Sequence, residues 1–193
     1  MKKTAIVLSV LTVAGLASGV SAHRRELLAS FDGGIGVTPV SSFAGPLNQD
    51  GTFQNVIRNL VKGVRPSTQL WQIGDLRADV TADGRIKVRG RGLVLAGGDL
   101  IGTTANLSVV ATLVCEATAP FVELSSADTL DGIAFQGGVR LETNGDFRID
   151  ETLRGRSGAG AIPSECASPT LLIRSSGNGA WLAAGIPRNS DDD

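Results

Sequence analysis

An all-β fold is what this sequence predicts: an antiparallel sandwich or barrel of short hairpin-connected strands, with at most one short helix. Three observations carry the prediction. From Trp71 onward, apolar residues recur at every second position, the period of a strand with one buried face. The apolar runs are short and are separated by turn-like clusters such as Gly97-Gly98-Asp99 and Ser175 to Gly179. The 25 glycines among 193 residues are far above ordinary usage, which suits a chain rich in turns and bulges.

The first 22 residues read as a cleaved secretory signal peptide. Lys2 and Lys3 form a basic start, Ala5 to Leu16 is an uncharged apolar run, and Val20-Ser21-Ala22 supplies small residues for cleavage after Ala22. The apolar run is short for a membrane-spanning helix, and Gly15, Ser18 and Gly19 end it. No later segment is long and apolar enough to span, since the best one, Leu107 to Val114, stops at Glu116. The expected product is therefore exported, periplasmic or extracellular, with no membrane span once the signal is removed. His23 would lead the mature chain. It is the only histidine, so it lacks the second ring that a copper-binding terminus needs and reads as a terminal residue without a role.

Residues 23–187 are expected to form one β domain, of which 23–70 is the less defined part. Pro39, Pro46 and Pro66 cut that part into pieces. Phe53, Val56, Ile57, Leu60, Val61 and Val64 sit at helical spacing with Gly63 as a stop, yet their β-branched content suits a strand, and both readings stay open.

The strongest local signal is a hairpin. Leu76, Ala78 and Val80 alternate with charged residues, Ala82-Asp83-Gly84 makes the turn, and Ile86 and Val88 resume the alternation. A three-residue loop with Gly84 in the left-handed position pairs Val80 with Ile86 and Ala78 with Val88, placing all four on one buried face. The same reasoning makes a second hairpin around Thr143-Asn144-Gly145, pairing Leu141 with Phe147 and Val139 with Ile149. Further strands are expected at Leu93–Ala96, Leu107–Cys115, Phe121–Leu124, Leu171–Arg174 and Ala180–Ala184. The Leu107–Cys115 strand is apolar on both faces, as a central strand would be. Residues 188–193, ending in three aspartates, read as an acidic flexible tail.

Cys115 and Cys166 are the only cysteines, and export makes them a natural disulfide. Closing a loop of that length contributes ~4 kcal/mol on the loop-closure estimate. The bridge would tie the Arg154–Pro163 loop and the C-terminal strands to the central strand.

Composition excludes more chemistry than it suggests. Lys and Arg total 18 against 19 Asp and Glu, with an isoelectric point near 5.8, which argues against nucleic acid as a partner. Signal removal takes two lysines and no acid, so 16 basic residues face 19 acidic ones, a formal charge of −3. With no Tyr, one His and two Cys, no four-cysteine zinc site or familiar acid–base constellation can be assembled. The glycine-rich stretches match neither a phosphate loop nor a dinucleotide fingerprint, and no nucleophile elbow or HExxH is present. No catalytic residue, metal ligand or cofactor is assigned.

Two features remain as candidate ligand contacts. Arg85, Lys87, Arg89 and Arg91 form a basic stripe on one strand face, suited to a phosphate or an anionic polymer. Its plainer reading is a solvated face partly neutralised across the hairpin, with Asp79 opposite Lys87 and Asp75 opposite Arg91; Arg77 opposite Arg89 is the exception. Trp71, flanked by Gln69 and Gln72, is the candidate exposed aromatic, whereas Trp181 among Leu182, Ala183 and Ala184 reads as core. The acids are scattered, although a pair such as Glu142 and Asp150 could meet across a sheet.

The leading expectation is an exported, non-enzymatic β-sandwich module for binding, surface association or structure, its partner unidentified. The alternatives are a small-ligand carrier or inhibitor on a closed barrel, which needs an apolar interior, and a secreted carboxylate-dependent hydrolase, which needs two acids facing one cleft.

Overall fold

The computed structural model describes residues 26–42, 45–131, 133–155 and 161–188. The expected signal peptide, His23, residues 156–160 of the Gly-rich loop and most of the acidic tail lie outside them. Among the described residues there is no helix. The strands are β1 (Leu27–Gly36), β2 (Val40–Ser42), β3 (Val56–Arg58), β4 (Trp71–Gln72), β5 (Asp75–Thr81), β6 (Arg85–Arg91), β7 (Val94–Leu95) and β8 (Ser108–Val114). They continue with β9 (Leu124–Ser125), β10 (Thr129–Leu130), β11 (Ala134–Phe135), β12 (Val139–Arg140), β13 (Phe147–Thr152), β14 (Arg154–Gly155), β15 (Thr170–Ser175) and β16 (Trp181–Pro187).

Ten of these strands make one sheet in the order β13-β6-β5-β1-β16-β15-β8-β9-β14, with β12 also on β8. The first and last strands of that path, β13 and β14, are successive parts of one run of chain, Phe147 to Gly155, interrupted at Leu153. The sheet therefore curls until its two ends meet in a single segment, giving a nearly closed antiparallel barrel. Leu153 marks the changeover: its amide donates to the Gly84 carbonyl at 2.8 Å, while the strand leaves β6 for β9.

The β5–β6 hairpin forms in the expected register, Val80 opposite Ile86 and Ala78 opposite Val88. Gly84 has φ +82° and its amide donates to the Thr81 carbonyl at 2.8 Å, the left-handed closing position that a three-residue loop requires. The interior positions of the hairpin, Leu76, Val80 and Ile86, are fully buried. They join Phe31 of β1, Leu113 of β8, Ile149 of β13 and Leu171 and Ile173 of β15 in one continuous core. Each such side chain contributes about 1.5–3 kcal/mol on burial.

The second expected hairpin is only half realised. Its turn is present: the Glu142 amide donates to the Asp146 carbonyl at 2.9 Å, and the Gly145 amide to the Glu142 carbonyl at 2.8 Å. Its ladder is not. Val139 pairs with Val109 of β8, and Ile149 pairs with Val88 of β6. The turn works as a corner that sends its two arms to different neighbours, Val139 to the apolar β8 and Ile149 to β6, where it faces the buried Val88 in a six-residue ladder.

Residues 53–64 make no helix and no continuous strand. Val56–Arg58 pairs with β2 as a short exposed ribbon, and Val61 and Val64 bond reciprocally around Lys62 and Gly63, whose φ angles are 48° and 80°. That two-residue turn breaks the helical spacing. The expected Phe121–Leu124 strand begins only at Leu124, since Val122 turns its amide to the Glu116 carboxylate at 3.1 Å.

β8 and β15 are buried on both faces, as their composition implies. The barrel covers one side. The segment from Glu123 to Phe135, with the small β10–β11 hairpin, covers the other: Thr112 Oγ1 meets Ser125 Oγ at 2.9 Å, and the Phe135 amide donates to the Ser176 carbonyl at 2.8 Å. Arg174 fastens this cover. Its guanidinium lies 2.5 Å from Glu123, donates to the Gly179 carbonyl at 2.7 Å and sits 4.8 Å over the Phe135 ring.

Cys115 and Cys166 are disulfide-bonded with their Cα atoms 4.5 Å apart, joining the end of β8 to the segment that leads into β15. The Ser168 amide donates to the Cys115 carbonyl at 3.0 Å beside the bridge, and Lys62 Nζ reaches the Glu116 carbonyl at 2.5 Å. The bond suits an oxidising, non-cytoplasmic environment. No helix among the described residues is long and apolar enough to cross a membrane.

Candidate functional site

The outward side chains of β5, β6 and β13 form the most charged wall of the barrel. Strand alternation sets it up: every interior residue on β6 is followed by an exposed cation, so Arg85, Lys87, Arg89 and Arg91 all point outward. Register then decides their neighbours. Arg77, Arg89 and Arg148 stand directly opposite one another across three adjacent strands. Two residues along the strands, Asp79, Lys87 and Asp150 make the next row. On the other side, Asp75 lies opposite Arg91. β1 adds Asp32 beside Arg77 and Ser30 beside Asp79.

Some of this charge is internally matched. Arg77 Nε lies 3.3 Å from Asp32 and 4.0 Å from Asp75. Arg85 holds Asp150 through Nη2 at 2.8 Å and Nε at 2.9 Å. Ser30 donates to Asp79 at 3.1 Å. Lys87, Arg89, Arg91 and Arg148, by contrast, have no ion-pair partner within 4.0 Å among the described residues. A shallow cleft of about 410 Å³ opens beside the wall, lined by Leu27, Asp79, Thr81, Arg85 and Lys87.

The four stripe residues read from the sequence thus lie together on one accessible face, with the cross-strand partners expected from the first hairpin. Arg148 was missed. It belongs to the strand assigned to the wrong neighbour, and only its alternation with Phe147 and Ile149 marked it as outward-facing.

Trp71 does not have the exposure its glutamine neighbours suggested. It is 4% exposed, pairs with Leu95 across the β4–β7 ladder and donates Nε1 to Ser67 Oγ at 3.2 Å. One edge of it borders a second cleft, of about 420 Å³, with Gln69, Asp99, Leu100 and Asn178. Trp181 is buried, with Nε1 donating to the Asn59 carbonyl at 3.1 Å.

Glu142 and Asp150 do not converge. Glu142 is bonded to Asp146 at the corner turn, and Asp150 lies four residues further along an extended strand, ~13 Å away, and is held by Arg85. Asp128 is paired with Arg154 at 3.2 Å. Among the described residues no group of three or more His, Cys, Asp or Glu side chains gathers as a metal site.

The fold and its charged wall define a disulfide-bonded antiparallel β-barrel with an interior filled by side chains and a cation-rich outer face. Compared with protein-family models, curated proteins and solved structures, the chain matches none of them.

Proposed function

We propose that this chain is an exported, non-enzymatic binding module that engages its partner on the outer wall of the barrel. The observation that carries the reading is the contrast between inside and outside. Phe31, Leu76, Ile86, Leu113 and Ile149 fill the interior, while Lys87, Arg89, Arg91 and Arg148 gather outside without ion-pair partners among the described residues. A filled barrel weighs against a carrier that encloses its ligand. The separation of Glu142 from Asp150, and the pairing of Asp128 and Asp150 with arginines, weigh against a hydrolase built on two carboxylates. The disulfide fits the oxidising compartment to which the N-terminal signal would deliver the chain.

The test is a turnover screen of the purified mature protein against glycans, esters and peptides, paired with native mass spectrometry. The reading expects no turnover and the mass of the bare chain. Robust turnover, or a retained small molecule within the barrel, would replace it with one of its rivals.

A further inference from the structure

We infer that the row Arg77, Arg89 and Arg148 is a binding track for a single chain of an acidic polysaccharide, an inference that rests on the outer-wall reading above. The row runs across three strands, so its backbone positions lie at intervals of ~4.8 Å and span ~10 Å in all. That interval is close to one sugar ring per cation. Directly opposed like charges destabilise a sheet, and Arg89 has an arginine on both sides, of which Arg77 is matched by Asp32 and Asp75 while Arg148 has no ion-pair partner among the described residues. Acidic groups laid along the row would relieve that repulsion and gain charge-assisted hydrogen bonds from planar guanidinium donors.

The flanking rows select the kind of anion. Asp75 and Arg91 lie on one side of the track, and Asp79, Lys87 and Asp150 on the other. Three carboxylates against two cations leave these rows net acidic, which disfavours a broad anionic surface such as a duplex or a membrane and leaves the arginine row to one narrow chain. The carboxylates also accept hydrogen bonds, and sugar hydroxyls are donors. Asp79 uses one oxygen on the Ser30 hydroxyl and keeps accepting capacity on the other. A polymer that carries both acidic groups and hydroxyls matches an all-cation centre and sides of mixed sign; a polyphosphate has no hydrogen-bond donor for the carboxylates at the sides. The outward positions of β5, β6 and β13 hold Asp, Arg, Thr and Lys and no aromatic residue, so a single-stranded nucleic acid would find no stacking platform.

The experiment is titration of the mature chain with polygalacturonate, polyphosphate and neutral dextran at two salt concentrations, with polymer length measured afterwards. Polygalacturonate is expected to bind most tightly, more weakly at higher salt. The Arg89→Gln/Arg148→Gln double variant should lose about tenfold or more in affinity with an unchanged circular dichroism spectrum, because both side chains point to solvent. Asp79→Ala provides the decisive sign. It should weaken polygalacturonate binding, whereas removal of a merely repulsive charge would strengthen it. Unchanged affinity in the double variant, stronger binding by Asp79→Ala, or polyphosphate binding as tight as polygalacturonate would overturn the track. Binding accompanied by shortening of the polymer would support the track and overturn the non-enzymatic reading instead. Failure to bind with no turnover of any substrate would do the reverse.

Discussion

The ring of Phe147 occupies the space that a side chain at Gly90, its cross-strand partner, would need. A Cβ placed on Gly90 would lie 2.0 Å from Phe147 Cε1. The pair sits where β6 and β13 meet above the corner turn, so the fit of one ring against one glycine helps to set the curvature of the barrel. Gly90→Ala is expected to destabilise the protein by about 1–3 kcal/mol through overpacking. Phe147→Leu in the same chain should recover part of that loss. Urea unfolding of the two single variants and the double variant measures the coupling.

The disulfide joins segments far apart in sequence, and its removal should act on the unfolded chain as much as on the folded one. Cys115→Ala/Cys166→Ala is expected to lower stability by about 2–5 kcal/mol with the strand content unchanged in the far-ultraviolet spectrum. Mass measurement after alkylation of non-reduced protein should find no free thiol in the parent chain.

Arg174 has a side chain only 8% exposed, and Glu123 supplies its countercharge. Glu123→Ala should therefore cost about 1.5–3 kcal/mol, since the guanidinium stays behind in a site shielded from water. Arg174→Met should cost less, because an apolar chain of similar reach can fill the space under Phe135. Thermal unfolding would show the order; an equal loss in both variants would indicate that packing, rather than the countercharge, holds the outer cover in place.

The arginine row predicts a surface substitution that stabilises. Replacing Arg89 with Thr removes the charge opposed on both sides and introduces a good strand former, for a gain of about 0.5 kcal/mol at low salt. The gain should shrink as salt screens the row. Urea midpoints for the parent and Arg89→Thr at low and high salt test both the sign and the trend.

Asp50 is held below the usual carboxylate range, first by the Thr52 hydroxyl and then by the Thr52 amide, both of which donate to it. A depressed carboxylate stabilises its loop at pH values above the unfolded pKa and loses that contribution as pH falls through the lower folded value. Thr52→Val should move the Asp50 titration upward toward the ordinary value, as followed by carboxyl chemical shifts.

Legibility in the sequence followed what alternation can encode. It states which residues face inward, so the β5–β6 hairpin, with Gly84 fixing its loop, could be paired residue by residue. It does not state which neighbour a strand will choose. Leu141 and Phe147 bear the same pattern, yet their arms part at the corner turn, and Arg148 was lost from the site for that reason. β1 carries no clear strand signal because its Gly33-Gly34-Ile35-Gly36 end resembles a turn. The strand carries a register shift between Phe31 and Gly34, with Gly33 at φ +96°, and this interrupts the alternation. The polar neighbours of Trp71 in sequence say little about its exposure because they are not its neighbours in space, where Leu95 pairs with it and Val37 accepts its amide at 3.3 Å.

A sheet whose first and last strands belong to the same nine residues closes part of its border on itself, through the two residue pairs that join β14 to β9. Unpaired strand borders are the usual template on which β proteins add foreign strands and aggregate. Here the Phe147–Gly155 run takes β6 on one flank and β9 on the other, leaving the short β2–β3 ribbon as a separate, exposed pair of strands. Beyond that ribbon, such a barrel spends most of its backbone hydrogen bonds on itself and meets its surroundings mainly through side chains.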